Sequence, residues 1–293
     1  MRKTSVYLPD ALKEDLSALA HRWDRSEAEL LRLAVERLVR AAANDTAPAA
    51  SARARLVGPC IVGVGIGPGD PELVTERAVR VLQTADRVFT ASTDAAAIGR
   101  AEAVVRTVAP EVRIERLTLA DRPDPEGRRD SLSSAVATVI GAVDEGASVA
   151  FAVLGDPSVY STFAPLAAAV TTARPAVSIS MVPGIMAFQD LAAQTGMVLA
   201  GDAERITILV ADEDTSALDT ALADPEVAVV LYKGGRHVPA VATRLEAHDR
   251  LAGAVMGELL GLPGARRVDV AAVADQTASY LATVIVPAVR ASQ

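Results

Sequence analysis

Two glycine-containing strings carry the residue types most able to do chemistry in this chain. They read Val64-Gly65-Ile66-Gly67-Pro68-Gly69-Asp70-Pro71-Glu72 and Leu154-Gly155-Asp156-Pro157-Ser158-Val159-Tyr160-Ser161-Thr162-Phe163. Each string follows an apolar run and precedes a helix-like stretch, so it places backbone amides and a carboxylate at the carboxyl end of a strand. Glycine lets the backbone approach a ligand closely or turn tightly. The two strings therefore predict a small-molecule site at the edge of an open α/β sheet.

The first string differs from the common nucleotide-binding loops. In the dinucleotide fingerprint Gly-x-Gly-x-x-Gly, Pro68 stands at one of the variable positions, and the third glycine is missing. No Lys-Ser or Lys-Thr pair follows the glycines, as it would in a P-loop. An ordinary strand-to-helix turn is the structural alternative, with Asp70 as the N-cap of a helix that has Pro71 in its first turn. The Asp70 carboxylate could also hold ligand N–H groups or accept a proton, and these roles are compatible with capping.

The segment from Leu231 to His237 follows an apolar strand and supplies three potential cations. Lys233, Arg236 and His237 could bind the carboxylates of an acidic ligand. A solvated loop is the alternative for each of them. The three histidines of the chain do not have the spacing of metal ligands, and no Ser-His-Asp arrangement is visible in the sequence. We therefore expect no metal site.

The apolar runs indicate two α/β domains that would position these segments. Strand-like and helix-like stretches alternate over residues 58–175, which predicts a parallel sheet, and a second α/β domain covers residues 177–290. We assign the strand-like stretch 177–182 to the start of that second domain. Residues 44–57 are Ala-rich with turn-forming residues and indicate a linker. A small strand–helix–helix module precedes it at residues 1–43.

The composition limits the class of protein. The chain has 293 residues, a formal net charge of −8 and one cysteine, Cys60. The acidic balance argues against a protein that is mainly a nucleic-acid binder, and a single cysteine excludes an intrachain disulfide and a Cys-rich metal site. Charged residues interrupt every long apolar stretch, and no signal-peptide pattern is visible. These features predict a cytoplasmic protein with no membrane partner.

Together the two strings resemble the tetrapyrrole (corrin/porphyrin) methylase family. The second string is most similar to the branch that methylates C20 of precorrin-2 or cobalt-factor II, and the resemblance covers residues 58–290. It implies a two-domain α/β fold with the ligand cleft between the domains, S-adenosylmethionine (SAM) as cofactor and S-adenosylhomocysteine as product. It also implies a SAM-dependent C-methyltransferase of cobalamin biosynthesis that forms a homodimer.

The resemblance also assigns roles to individual residues. Asp70 would orient the acceptor ring or take a proton, and Asp70, Lys233, Arg236 and His237 would bind the acceptor. Tyr160 is expected in the core rather than at a ligand, and core packing is the alternative for Met186, where many relatives have a small hydroxyl residue. The residues that would contact the cofactor are Gly67, Pro68, Gly155, Asp156, Val159, Ser161, Thr162, Met186, Ala187, Tyr232, Lys233, Ala282 and Thr283.

Residues 2–42 resemble a ribbon-helix-helix module, in which two chains must pair to bury a core. Pro9 opens the first helix, and Ser26 with Glu29 three residues later predicts a capping box for the second. Residues 1–45 contain eight Lys and Arg against eight Asp and Glu, whereas DNA binding needs net positive charge. We therefore favour dimerisation or docking over operator binding. The residues that would face DNA are Lys3, Ser5 and Tyr7.

Two further hypotheses remain open at this level. The body could sense SAM or a corrinoid while the N-terminal module binds an operator, or a methylase-fold enzyme could act on a different acceptor. No strong acid–base constellation is expected for the methyltransferase hypothesis. The meso carbon of a reduced tetrapyrrole is electron-rich, so the protein must mainly align the two reactants and exclude water.

Overall fold

The computed structural model describes residues 8–23, 26–29, 31–32, 59–93, 97–119, 125–201 and 203–290. The chain divides into two compact units, residues 1–54 and residues 55–293. None of the helices in the described ranges is both long enough and apolar enough to cross a membrane.

The described part of the first unit is helical. Helix α1 covers Asp10–Trp23 and confirms the helix predicted after Pro9. The backbone N–H of Glu29 donates to Ser26 Oγ at 3.3 Å, which is one half of the predicted capping box. The predicted first strand, the linker and most of the second helix lie outside the described residues, and the same is true of Lys3, Ser5 and Tyr7.

The second unit begins with a five-stranded sheet. Its strands are β1 (Cys60–Gly65), β2 (Arg87–Ser92), β3 (Ile114–Thr118), β4 (Ser148–Val153) and β5 (Ser178–Val182). The order across the sheet is β3-β2-β4-β1-β5, and every pairing is parallel, as the alternation of elements predicted. The connecting helices are α2 (Glu76–Thr84), α3 (Arg100–Val108), α4 (Pro125–Asp144) and α5 (Phe163–Ala173), with a 3-10 turn at Pro71–Leu73.

The central strands of this sheet are covered by helices, which explains their nearly unbroken apolar sequences. All six positions of β4 are buried. Phe89 of β2, Phe151 of β4 and Phe163 at the start of α5 are fully buried in one cluster. This packing holds the carboxyl ends of β1 and β4 in fixed positions, and both glycine-containing strings begin at those ends.

Strand β5 corrects the domain boundary expected from the sequence. We assigned residues 177–182 to the second domain, but β5 pairs with β1 from Ser178 opposite Cys60 to Val182 opposite Val64. The division between the sheets therefore lies after Val182. Three of the five β5 side chains are exposed, as on an edge strand, so its own sequence has no burial pattern that marks the sheet it joins.

A second five-stranded sheet follows. Its strands are β6 (Arg205–Val210), β7 (Val227–Tyr232), β8 (Val255–Glu258), β9 (Arg266–Asp269) and β10 (Thr283–Val286), in the order β6-β7-β10-β8-β9. Only the β6–β7 pairing is parallel among these described strands. The α-helices of this half are α6 (Ala187–Thr195), α7 (Ser216–Leu222) and α8 (Val238–Ala247), with 3-10 turns at Gly234–His237 and Val270–Val273.

A buried ion cluster fastens the edge strand β3 to helix α3. The Glu102 side chain is 1% exposed and accepts hydrogen bonds from Arg116 at 2.5 and 2.9 Å and from Arg106 at 2.6 and 2.8 Å. The Arg116 hydrogen bond is the largest cause that lowers the pKa of Glu102, and Arg106 adds to it against the opposing effect of burial. The carboxylate is therefore stabilised in its charged form in the folded protein.

This cluster should make stability depend on pH. Because folding lowers the pKa of Glu102, its contribution is complete above the unfolded-state pKa, about 4.3 for glutamate, and is lost as the pH falls through the lower folded-state pKa. We expect Glu102→Gln to reduce the free energy of unfolding by about 1–3 kcal/mol at neutral pH, and by less below about pH 4. Urea unfolding of the natural chain and of Glu102→Gln between neutral pH and about pH 4 measures this difference in stability. A difference in the free energy of unfolding that does not change with pH would contradict the prediction.

Candidate functional site

A cleft opens between the two sheets at the carboxyl ends of β1 and β4. It holds about 760 Å³ of space between the atoms, a figure that includes open solvent at its mouth. Most of its lining side chains are apolar. The lining residues are Pro68, Leu154, Gly155, Asp156, Val159, Tyr160, Met186, Ala187, Tyr232, Lys233, Leu259, Leu260, Leu262, Leu281 and Thr283.

Three glycines bring the strand ends together at this cleft. Gly65 ends β1, Gly155 follows β4, and Gly184 follows β5. A Cβ atom built on Gly184 would lie 2.1 Å from the Gly155 carbonyl oxygen, and one built on Gly65 would lie 2.6 Å from the same oxygen. The Gly155 N–H donates to the Gly67 carbonyl oxygen at 2.7 Å. The two strings singled out in the sequence therefore form one backbone junction, which requires glycine for its close contacts.

The first string also touches the second half of the unit. A Cβ atom on Gly69 would lie 2.5 Å from the Leu260 carbonyl oxygen, and one on Gly261 would lie 2.1 Å from the Asp70 nitrogen. Gly261 has a φ of +69°, a conformation that favours glycine. These backbone contacts fix the separation of the two sheets beside the cleft.

Asp70 adopts the capping role that we gave as its structural alternative. Its Oδ1 accepts the Glu72 N–H at 2.9 Å, and it is the N-cap of the 3-10 turn that begins at Pro71. Asp70 is not among the residues that line the cleft, although its neighbour Pro68 is. The geometry thus establishes the cap and leaves the contact with an acceptor as a prediction.

Asp156 lies at the cleft and joins two of its loops. Its Oδ1 accepts hydrogen bonds from the Ser158 N–H at 2.8 Å and from the Ser158 hydroxyl, and its Oδ2 accepts the Gly184 N–H at 3.0 Å. Both carboxylate oxygens therefore bond to protein groups. Asp156 holds the loop after β4 against the loop after β5, a role that its position in the sequence did not indicate.

Tyr160 is not a core residue, which corrects our expectation. Its side chain is 50% exposed and lines the cleft. Its hydroxyl donates to the Ile208 carbonyl oxygen of β6 at 3.0 Å, and its ring centroid lies 6.2 Å from that of Tyr232. Tyr160 lies in the loop before α5, and its backbone φ of +48° directs the side chain toward the second sheet.

The three candidate cations are not all at the cleft. Lys233 lines it and has a φ of +59°, with its Nζ 5.6 Å from the centroid of the Tyr280 ring. Arg236 is exposed and His237 is half-buried at the start of α8, and neither lines the cleft. In the described ranges, no group of three or more His, Cys, Asp and Glu residues is arranged to hold a metal ion.

Nine of the thirteen expected cofactor contacts line the cleft, and four do not. Those at the cleft are Pro68, Gly155, Asp156, Val159, Met186, Ala187, Tyr232, Lys233 and Thr283. Gly67, Ser161, Thr162 and Ala282 lie beside it without lining it; Ala282 is fully buried, and the Ser161 hydroxyl donates to the Pro157 carbonyl oxygen at 2.5 Å. Sequence reasoning missed the leucines that form much of the wall, because leucine is common in any core. They are Leu154, Leu259, Leu260, Leu262 and Leu281.

The fold and the cleft together define a two-lobed α/β protein with a largely apolar cleft at the carboxyl ends of strands of its first sheet. The family model for Tetrapyrrole (Corrin/Porphyrin) Methylases matches residues 60–274. The chain therefore belongs to the tetrapyrrole methylase family. Members of this family are methyltransferases that use SAM, as the resemblance of the two strings implied.

The similarity to individual proteins extends over most of the chain. It is 30% identical to a precorrin-2 C(20)-methyltransferase from Sinorhizobium sp over 236 residues, which cover 78% of this chain and 94% of that protein. It is 30% identical to the cobalamin biosynthesis protein CobIJ of Mycobacterium tuberculosis, with 77% of this chain and 45% of that protein covered. Identity to a cobalt-precorrin-2 C(20)-methyltransferase from Salmonella typhimurium is 24%, over 60% of this chain and 73% of that protein.

Solved structures share the fold. A cobalamin synthesis related protein (CobF) from Corynebacterium diphtheriae superposes with a TM-score of 0.58 at 22% identity, covering 79% of this chain and 99% of that chain. Cobalt precorrin-4 methyltransferase, CbiF, gives a TM-score of 0.58 at 19% identity, covering 78% of this chain and 94% of that chain. These likenesses confirm the two-domain α/β fold expected from the sequence.

Proposed function

We propose that the protein transfers the methyl group of SAM to C20 of precorrin-2 or cobalt-factor II in cobalamin biosynthesis. The observation that carries the proposal is the junction of both glycine-containing strings at one largely apolar cleft with a lysine in its lining. The similarity to a C20 methyltransferase over 94% of that protein's length supports this acceptor. A methylase with another acceptor is the alternative, because CbiF has the same fold.

The cleft residues fit SAM. The leucine-rich wall of the cleft suits the adenosine part of the cofactor. The Tyr160 and Tyr232 rings suit a positively charged sulfur, since aromatic faces attract cations. We propose that the residues that hold the cofactor are Gly67, Pro68, Gly155, Asp156, Val159, Ser161, Thr162, Met186, Ala187, Tyr232, Lys233, Ala282 and Thr283.

When bound, SAM supplies an electrophilic methyl group on a sulfonium. The chain must align the acceptor carbon with that group and exclude water, and the backbone junctions and apolar walls are suited to both tasks. We propose that Lys233, Arg236 and His237 bind carboxylate arms of the acceptor. Asp70, beside the cleft, would orient the ring or take the proton released at the meso carbon.

The direct test is a methyl-transfer assay. The purified chain is mixed with methyl-labelled SAM and either precorrin-2 or cobalt-factor II, and mass and absorbance are followed. One added methyl group, mapped to C20 by NMR, is the expected result, and the faster substrate reveals whether the acceptor carries cobalt. Binding of SAM without transfer to either compound would exclude the C20 assignment, and transfer to another carbon would support the alternative acceptor.

Asp156→Ala should weaken cofactor binding without unfolding the protein. The variant loses the charge-assisted hydrogen bond to the Gly184 N–H, so the two cofactor loops are no longer tied together. A bond of this type contributes about 1.5–3 kcal/mol, which corresponds to roughly a 10–100-fold lower affinity for S-adenosylhomocysteine. Calorimetric titration measures this affinity.

Asp214→Ala is the matched control for this prediction. Asp214 also accepts the N–H of the residue two positions later, Ser216, at 2.9 Å, but it does not line the cleft. Its variant should bind S-adenosylhomocysteine with the affinity of the natural chain. Equal affinities for both variants would contradict the joining role of Asp156.

For residues 1–43 we propose dimerisation or docking, with the whole protein a homodimer. The observation in favour is that α1 exposes apolar surface in the single chain, with Leu12 51% exposed. The balanced charge of this segment argues against operator binding. Analytical ultracentrifugation of the full chain tests whether it is a dimer. Salt-dependent and sequence-specific binding in an electrophoretic mobility shift assay with DNA would support the regulator hypothesis instead.

A further inference from the structure

We propose that Glu258 is a positioning residue for the Lys233 ammonium, and that it acts through the segment 278–282 just before β10. The proposal rests on the proposed function, because Lys233 matters here as a residue that binds a carboxylate of the acceptor. Glu258 itself does not line the cleft. It therefore acts on the site through its neighbours and not by contact with a ligand.

The Glu258 carboxylate ties the segment 278–282 to the end of β8. Its Oε1 accepts the Ser279 N–H at 2.6 Å, and its Oε2 accepts the Arg266 Nε–H of β9 at 2.5 Å. The side chain is only 12% exposed. Burial raises the pKa of Glu258, but the hydrogen bonds from Arg266 and from the Ser279 N–H together outweigh it, so the net shift is downward. The bond to the segment is therefore charge-assisted and stronger than one between neutral groups.

The same segment contacts the loop that carries Lys233. The Ala278 N–H donates to the Gly235 carbonyl oxygen at 2.7 Å. A Cβ atom built on Gly235 would lie 1.9 Å from the Ser279 carbonyl oxygen, so the two backbones are in direct contact. The segment is thus held both by Glu258 and by the residues that follow Lys233.

Tyr280 links this segment to the ammonium. The Lys233 Nζ lies over the Tyr280 ring, 5.6 Å from its centroid. An aromatic ring attracts an ammonium without neutralising its charge, so the cation remains able to bind a carboxylate. The Lys233 φ of +59° is uncommon for a residue other than glycine and persists only where neighbouring contacts enforce it. Tyr280 directly follows Ser279, whose N–H Glu258 binds, and this sequence of contacts connects the carboxylate to the ammonium.

The lysine content of the chain allows a direct test by NMR. The chain has three lysines, Lys3, Lys13 and Lys233, so isotope-labelled lysine gives few signals, and Lys233→Arg assigns one of them. The ring current of Tyr280 should displace the Lys233 ε-methylene signal upfield of the Lys13 signal. Glu258→Met removes both carboxylate oxygens and should reduce this displacement. Glu258→Gln can still accept the backbone N–H and should retain it. An unchanged signal in Glu258→Met, or an equal change in Glu258→Gln, overturns the proposal.

The acceptor kinetics at saturating SAM test the consequence for the site. Glu258→Met should raise the acceptor KM about tenfold, with kcat within about twofold, because Lys233 holds the acceptor equally before and during methyl transfer. In a Lys233→Met background, the same change should alter KM by less than about twofold, because the two residues belong to one set of contacts. An equal rise in both backgrounds would show that Glu258 acts independently of Lys233 and would overturn the proposal.

Tyr280→Leu tests the same link even where Glu258→Met does not fold. Tyr280 is 37% exposed, so the fold tolerates its replacement. Loss of the ring should raise the acceptor KM by about 2–5-fold, the usual effect of one exposed cation–π contact. An unchanged KM would contradict the link between Tyr280 and the ammonium and would overturn the proposal.

Glu204→Met is the matched control. The Glu204 side chain is 15% exposed and likewise accepts one backbone N–H, that of Gly201 at 2.6 Å, and an arginine, Arg290 at 2.7 Å. Glu204 does not line the cleft, so its variant should lose stability but keep the natural Lys233 signal and acceptor KM. Changes equal to those of Glu258→Met would show general loosening and overturn the proposal. If the natural chain transfers no methyl group to either tetrapyrrole, the proposed function fails, and the lysine signal still tests the positioning.

Discussion

Gly184→Ala is expected to lower the affinity for S-adenosylhomocysteine by about 100-fold and to reduce the free energy of unfolding by about 3 kcal/mol. The added Cβ would lie 2.1 Å from the Gly155 carbonyl oxygen and 2.8 Å from the Gly65 carbonyl carbon. Both neighbours are backbone atoms at the ends of buried strands, so neither can move without disturbing the sheet. The junction beneath the cleft must therefore open to admit one methyl group.

Gly141→Ala provides the matched comparison for this change. Gly141 lies within α4, and a Cβ atom there would meet no atom within 4 Å. Alanine favours the helix over glycine by up to about 1 kcal/mol, so this variant should be slightly more stable and should bind the cofactor normally. Calorimetric titration and urea unfolding of both variants test the pair. A Gly184→Ala protein with normal affinity would contradict the role given to the glycine junction.

Arg250→Met is expected to reduce the free energy of unfolding by about 3–5 kcal/mol, the largest stability effect that we predict. Arg250 is 4% exposed, and its guanidinium donates to four backbone carbonyl oxygens at 2.7–3.2 Å. Methionine fills a similar volume but leaves these oxygens without that donor. The oxygens belong to Leu222, Asp224, Val227 and Pro287.

The position of Arg250 explains why the effect should be large. Its two nitrogens connect the end of α7, the start of β7 and the chain beyond β10, which are distant in sequence. Arg174→Met is the control, because the Arg174 side chain is 46% exposed and its pair with Asp144 is an ordinary surface ion pair, worth at most about 1 kcal/mol. If urea unfolding gave similar decreases in the free energy of unfolding for the two variants, the structural role of Arg250 would be contradicted.

Local sequence patterns were sufficient to predict the strands that are buried in the centre of each sheet. The unbroken apolar runs of β1, β4 and β7 predicted strands because a strand covered on both faces has no polar side. The short edge strands β3 and β9 and the helix α7 were not predicted. Their sequences contain charged or small residues and lack the unbroken apolar run that marks a buried strand.

The sequence by itself indicated the family, the parallel character of the first sheet and the two strings that meet at the cleft. These features depend on residues close together in the chain: glycines that permit close backbone contacts, and apolar runs that must be buried. Nine of the cofactor contacts that the family resemblance implies are among the residues that line the cleft.

The tertiary structure alone decided which distant groups meet. It paired β5 with the first sheet, directed both Asp156 oxygens to protein N–H and O–H groups, and turned Tyr160 from the expected core position across to β6. The Asp156–Gly184 bond spans 28 residues and the Tyr160–Ile208 bond spans 48, and β5 pairs with a strand far earlier in the chain, whereas the Asp156 bonds to Ser158 are local. Local sequence specifies which groups can form a hydrogen bond, whereas the packing of the two sheets specifies which partner is within reach.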